Sequence, residues 1–285
     1  MEIRKVGVVG AGTMGNGIAQ AFATSGYDVV MRDIKQEFVD RGMSTIRKSL
    51  ERLASRNKIS AEAKDTALGR ITTTVDLEPM ADCDLVVEAA LEQVDLKVKL
   101  FAELDGIAKK DALLATNTSS ISVTKIAAAT KRPSQVVGMH FFNPVPVMQL
   151  VEVVRGLQSG EETVETVVEV SKKIGKTPRV VKDSYGFVVN RLLIPMINEG
   201  INCLYEGLAG PEDIDDTMKL GANHPIGPLA LADLIGLDVI LHVMETLYQG
   251  FEDSKYRPSP LLKQMVDAGY LGRKTGRGFY KYEGA

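Results

Sequence analysis

Val6-Gly7-Val8-Val9-Gly10-Ala11-Gly12-Thr13-Met14-Gly15 decides how this chain is read. A short apolar run of strand character enters a GxGxxG segment, and an apolar helical stretch, Gly15 to Phe22, leaves it. Glycine-rich turns are common in isolation, but one that joins a strand to a helix is the context a dinucleotide-binding turn requires. Gly10 permits the tight turn, Gly12 lets backbone approach a pyrophosphate, and Gly15 lets helix and strand pack closely. Gly10, Ala11, Gly12, Thr13, Met14 and Gly15 are therefore the expected phosphate-binding turn, with the amides of the helix N-terminus as donors.

Such a turn is expected to be followed, about twenty residues on, by an acid at the end of the second strand. Asp33 stands there, after Val29-Val30-Met31-Arg32. Its carboxylate can accept hydrogen bonds from the diol of an adenosine ribose and would face a 2′-phosphate with like charge. NAD is the expected cofactor rather than NADP, although an arginine such as Arg32 is a side chain that can welcome that phosphate.

Outward from this turn, the runs Asp28–Met31, Leu85–Glu88, Leu113–Ala115 and Val136–Met139 read as further strands, separated by helical stretches such as 15–25 and 35–56. Alternation of this kind predicts βαβ units and a parallel sheet. Leu150–Val154 is another apolar run, reached through the turn Asn143-Pro144-Val145-Pro146. After Val180-Val181-Lys182-Asp183 the texture becomes helical throughout. The chain is thus expected to be an α/β protein, with residues 1–184 forming a Rossmann-type NAD-binding domain and residues 185–285 an all-α C-terminal domain. Within the second domain a helix is expected to start at Pro211, with Glu212 and Asp213 in its first turn, Lys219 near its end and Gly221 after it. Pro195 should kink the helix that holds it.

At 285 residues, 45% apolar and 25% charged, the chain can bury a substantial core. A formal net charge of −3, with both signs interspersed, gives no general attraction to nucleic acid or an anionic membrane. No apolar run approaches the roughly 20 residues of a membrane helix. The two cysteines, Cys83 and Cys203, lie far apart, and His140, His224 and His242 lack metal-ligand spacing. Neither a disulfide framework nor a metal site is expected. The N-terminus enters a strand almost at once, and a cytoplasmic location is the expectation.

His140, in Val137-Gly138-Met139-His140-Phe141-Phe142-Asn143-Pro144, falls at the carboxyl end of a strand, where doubly wound sheets bind ligands. Oxidising a hydroxyl to a ketone needs a base, and imidazole titrates near the working pH. Glu152 is an acid inside the apolar run Leu150-Val151-Glu152-Val153-Val154; burial there calls for a cationic or hydrogen-bonding partner. Taken singly, His140 is equally a structural histidine and Glu152 a strand-edge residue. Ser119, in Thr116-Asn117-Thr118-Ser119-Ser120, also follows a strand and equally reads as a helix N-cap. Asn190, in Gly186-Phe187-Val188-Val189-Asn190-Arg191, equally reads as a helix-surface residue. Ser49, Arg52 and Arg56 share one helix face by spacing, which fits a phosphate grip but fits a solvated basic face better.

These residues together resemble a known family. GAGTMGxGIAQ, VEAxxE, NTSS, GMHFFNPVPVMxLVEVV, GFVVNR and the terminal GRKTGRGFY occur in order over essentially the whole chain, as in the short-chain L-3-hydroxyacyl-CoA dehydrogenases. The resemblance implies reversible NAD-dependent oxidation of an (S)-3-hydroxyacyl-CoA, such as 3-hydroxybutyryl-CoA, in fatty-acid or butanoate metabolism. It implies that His140 is the general base, Glu152 its partner, and that Ser119 and Asn190 hold the reacting end of the substrate. Nicotinamide contacts are implied for Glu92, Lys97, Ser119 and Asn143, and coenzyme A contacts for Ser49, Arg52 and Arg56, reversing the preference for a solvated face. The arginines stand where lysines are common in that family, so detailed phosphate geometry is expected to differ. A homodimer, made mostly through the helical domain, is implied as well.

Overall fold

The computed structural model describes residues 1–282 and divides the chain into two compact units, Met1–Ser184 and a second that begins at Tyr185. In chain order the first contains β1 (Lys5–Val9), α1 (Thr13–Thr24), β2 (Asp28–Arg32), α2 (Gln36–Ser55), α3 (Ala61–Gly69), β3 (Ile71–Thr74), β4 (Leu85–Glu88), α4 (Val94–Ile107), β5 (Leu113–Thr116), α5 (Val123–Ala127), β6 (Val136–Phe141), β7 (Leu150–Arg155), α6 (Glu161–Lys173) and β8 (Thr177–Lys182). The strands form one sheet in the order β3-β2-β1-β4-β5-β6-β7-β8.

Alternation at period two sends the strand side chains to opposite faces, and both faces are covered. Val6, Val8, Val29, Met31, Leu85, Val87 and Val137 join one apolar cluster with Ile18 and Phe22 of α1, Ile46 and Leu50 of α2, and Val167 of α6. Val9, Val30, Val86, Leu114 and Val136 join the other, with Phe101 and Leu104 of α4 and Ile126 of α5. The result is a Rossmann-type three-layer unit, as the alternation of strands and helices predicts. One expectation needs correction. The sheet is not parallel throughout, because β7 runs antiparallel to β6. Only eight residues separate these strands, too few for the crossover that a parallel return requires.

Helix ends follow the chemistry of their residues. Ser60 caps α3 by accepting from the Ala63 amide, and Ser122 caps α5 by accepting from Lys125. Helix α6 carries Glu161 and Glu162 in its first turn and Lys172 and Lys173 in its last, matching the helix dipole.

In the second unit the helices are α7 (Val189–Tyr205), α8 (Pro211–Ala222), α9 (Pro228–Ile235), α10 (Leu237–Phe251) and α11 (Pro260–Asp267). Ile194, Ile197 and Ile201 face inward from α7 onto Leu229, Leu237, Ile240, Met244 and Leu262. Helix α7 continues through Pro195, and α8 runs past Gly221 to Ala222. Asn223, at φ 55°, ends α8 instead, a left-handed position that asparagine tolerates. Two acids tie this unit together. Asp215 accepts from the Leu229 and Ala230 amides at the start of α9, and Asp233 accepts from the Phe279 and Tyr280 amides and the Tyr282 hydroxyl. Among the described residues no helix is long and apolar enough to cross a membrane.

The turn after β1 separates two uses of glycine. A Cβ on Gly15 would stand 1.7 Å from the Gly10 carbonyl oxygen, whereas one on Gly12 would meet nothing within 4 Å. Gly15→Ala is therefore expected to cost about 3 kcal/mol in urea unfolding without added nucleotide. Gly12→Ala should stay within about 0.5 kcal/mol of the parent. Equal losses would mean that the turn is held by something other than this packing.

Candidate active site

Helix α1 begins at the carboxyl end of β1, and Gly12 precedes it without a side-chain cap. Its N-terminal amides are thus left for an anionic group. Among the described residues no atom lies within 4 Å of where a Cβ on Gly12 would stand, so the open approach there fits a pyrophosphate. Asp33 lies beyond the end of β2 and is half-buried; its Oδ2 accepts from the Ala11 amide at 2.7 Å and its Oδ1 from Ile34 at 2.7 Å. Each oxygen keeps a second lone pair, so the carboxylate can hold the turn and still accept from a ribose diol. The residues present fit a dinucleotide.

His140 and Glu152 stand directly opposite one another in the antiparallel β6–β7 ladder. Side chains at such positions share a face and lie within contact distance. His140 Nδ1 is 2.8 Å from Glu152 Oε2, and the residues are 5% and 1% exposed. With Glu152 as a carboxylate, which only accepts, Nδ1 is the donor of this bond. The Phe142 ring packs at 4.4 Å against the imidazole.

Beside them, at the carboxyl ends of β4 and β5, lies a second charged group. Glu88, the last residue of β4, is fully buried. Its Oε1 accepts from Lys97 Nζ at 2.5 Å and the Ala90 amide at 2.7 Å, and its Oε2 from the Thr116 hydroxyl at 2.7 Å. Lys97, 1% exposed, also lies 3.4 Å from Glu92 Oε2. The other Glu92 oxygen gathers the loop after β5, accepting from the Thr118 hydroxyl at 2.6 Å and the Ser119 and Ser120 amides at 2.9 and 3.1 Å. Asn117, in the same loop, accepts from the Phe141 amide at 2.9 Å.

Glu92, Lys97 and Ser119, implied as one group by the resemblance, are thus adjacent, though Lys97 is enclosed by carboxylates. Asn143 is exposed in the loop after β6, where its bond to Pro144 is cis. Lys176 donates to the Val145 and Met148 carbonyl oxygens and anchors that loop, and burial lowers its pKa. Ser49 and Arg52 lie on the last turns of α2, and Arg56 is the residue that ends it. Asn190 is the second residue of α7 and belongs to the other unit. Glu88, Thr116 and Asn117 join the site although local sequence does not mark Thr116 or Asn117 for it. Glu88 carries the signal that marks Glu152, an acid in an otherwise apolar strand.

Two family models match the chain: the 3-hydroxyacyl-CoA dehydrogenase NAD-binding domain over residues 5–184, and the C-terminal domain of the same family over residues 186–282. A Deinococcus radiodurans protein called "Probable 3-hydroxybutyryl-CoA dehydrogenase" is 58% identical, over 98% of this chain and all of that one. The 3-hydroxybutyryl-CoA dehydrogenase of Bradyrhizobium diazoefficiens is 52% identical, over 99% of this chain and 97% of that one. The crystal structure of (S)-3-hydroxybutyryl-CoA dehydrogenase from Ralstonia eutropha matches with a TM-score of 0.96 and 57% identity, covering 99% of this chain and all of that one.

Burial by itself would raise the Glu92 carboxyl, but Lys97 and the donors Thr118, Ser119 and Ser120 outweigh it and hold the group below its ordinary value of 4.5. A carboxyl depressed by folding contributes stability that is complete above its unfolded pKa and lost as pH falls through its folded one. The stability advantage of the parent over Glu92→Gln is therefore expected to be full at pH 7 and to shrink below about pH 4.5. An advantage unchanged in urea unfolding from pH 7 to pH 3 would mean that the Glu92 charge does not hold the loop.

Proposed function

This chain belongs to the 3-hydroxyacyl-CoA dehydrogenase family, and from that premise we propose that it interconverts (S)-3-hydroxybutyryl-CoA and acetoacetyl-CoA with NAD. The names of its relatives support the substrate, and the buried His140–Glu152 pair at 2.8 Å carries the chemistry. NAD, when bound, would supply the hydride chemistry at C3 of the substrate.

His140 Nε2 takes the 3-hydroxyl proton in oxidation and gives a proton to the 3-keto oxygen in reduction. Glu152 keeps the ring in that tautomer and stabilises the imidazolium as it forms. Ser119 fixes the reacting oxygen and Asn190 the acyl end. Asp33 supports NAD over NADP. Gly10 through Gly15, Glu92, Lys97 and Asn143 hold the rest of the cofactor. Ser49, Arg52 and Arg56 take the phosphates of coenzyme A, with the arginines at the C-terminal end of α2, where cations are favoured. Residues 1–184 are the NAD-binding domain and residues 185–285 the dimerisation and substrate domain, for whose homodimer contact exposed Leu208 and Leu220 are apolar material. A cytoplasmic setting suits the two free cysteines.

Purified protein given acetoacetyl-CoA is expected to consume NADH rapidly and NADPH slowly; no turnover with either would overturn the reading. Glu152→Gln should lower kcat by up to ~10⁴-fold while leaving KM nearly unchanged, the pattern expected when an orienting acid is lost. Normal turnover in that variant would remove Glu152 from its role. Replacing Arg52 and Arg56 together by alanine should raise the KM for acetoacetyl-CoA about tenfold. Light scattering should give the mass of two chains.

A further inference from the structure

The group Glu88, Lys97 and Glu92 does not balance its charge. Two carboxylates face one ammonium, and both Glu88 and Lys97 are almost wholly removed from water. Glu88 Oε2 bonds to a neutral hydroxyl, that of Thr116, and Glu92 Oε1 bonds to neutral donors. The N-terminus of α4 adds a fractional positive end near Glu92, about half a unit charge, which reduces the excess without cancelling it.

A buried site with excess negative charge favours a ligand that brings positive charge. The group closes the carboxyl ends of β4 and β5, beside β1, whose end carries the glycine turn. In sheets of this order a dinucleotide crosses the switch point between β1 and β4, with its halves on either side. Asp33 marks the adenosine side, so the other half falls toward β4 and β5. The nicotinamide ring carries one positive charge when oxidised and none when reduced.

We propose that Glu88, acting through Lys97 and Glu92, sets the relative affinity of this protein for the oxidised and reduced forms of its nicotinamide cofactor. This rests on the reading of the chain as an NAD-dependent dehydrogenase. Glu88 is a positioning residue here, because its carboxylate is filled by protein donors and it reaches the ligand only through its partners. The net charge of the group biases the enzyme toward NAD⁺. Neutralising Glu88 balances Lys97 against Glu92 and removes the bias.

The experiment is to measure Kd for NAD⁺ and for NADH, by calorimetry and by fluorescence respectively, in the parent and in Glu88→Gln. The ratio Kd(NAD⁺)/Kd(NADH) is expected to rise about twofold or more, the effect of one unit charge acting across an intervening side chain, roughly 8 Å, at water-like screening. Thr116→Val, which removes a hydrogen bond to Glu88 without changing charge, should leave the ratio where it was. A merely structural role for Glu88 predicts that both affinities weaken together at constant ratio, and that result overturns the proposal. Should Glu88→Gln fail to fold, Glu92→Gln removes the same unit of charge from a more exposed position, and an unchanged ratio there overturns it equally. If the parent binds neither form, the reading of the chain as a dehydrogenase fails instead, whatever the variants do.

Discussion

A carboxylate removed from water must be given donors, and the joints of this protein are built where that demand is met. Asp33 binds the glycine turn to the loop after β2. Glu88 and Glu92 bind the ends of β4 and β5 to the first turns of α4. Asp183, beyond β8, accepts from the Ser122 hydroxyl and the Val123 and Thr124 amides, pinning the start of α5. Asp215 and Asp233 do the same work in the helical unit. Asp33, Glu88 and Asp183 stand at or next to the end of a strand, and Asp183 and Asp215 accept from the first turns of α5 and α9, where backbone amides lack partners of their own. Removing one such acid would leave several donors unsatisfied at once, each at a cost of about 1–3 kcal/mol.

The His140–Glu152 pair obeys the same rule with a different outcome. Here the donor offered to a buried acid is an imidazole, and the demand fixes a proton on one ring nitrogen. The antiparallel return of β7 along β6 makes this possible, because it sets two side chains opposite each other and on one face without any loop to position them. A constraint of backbone register thus becomes a constraint of protonation.

Much of this was legible beforehand, for reasons that differ along the chain. The glycine turn and Asp33 stand at fixed spacing within one βαβ unit, so local sequence suffices to place them. The two-faced core follows from strand alternation, and helix α2 spans nearly the stretch its periodicity outlines. Proximity of His140 to Glu152 was not legible, since nothing local states that β7 pairs antiparallel with β6; the shared motif implied it only by likeness. Strand β3 gives little sequence signal because Ile71-Thr72-Thr73-Thr74 is short and polar, as an edge strand can be. The roles of Thr116 and Asn117 depend on Glu88 and Phe141, which lie far from them along the chain and are brought near only by the sheet. Gly221 suggests the residue after α8, but asparagine two positions on takes the left-handed terminating position instead.

Gly10 lies close under the Ala89 backbone, and β1 pairs with β2 on one side but with β4 on the other, Val6 facing Leu85. The turn nearest the start of the chain is therefore completed by a segment made much later. During synthesis, the strand and helix around Gly10 can form early, yet their second edge stays open until β4 has left the ribosome and closed a long loop. Assembly of the nucleotide turn is for that reason a non-local event, and its timing is governed by the arrival of residues 85–88 rather than by the speed of the turn itself.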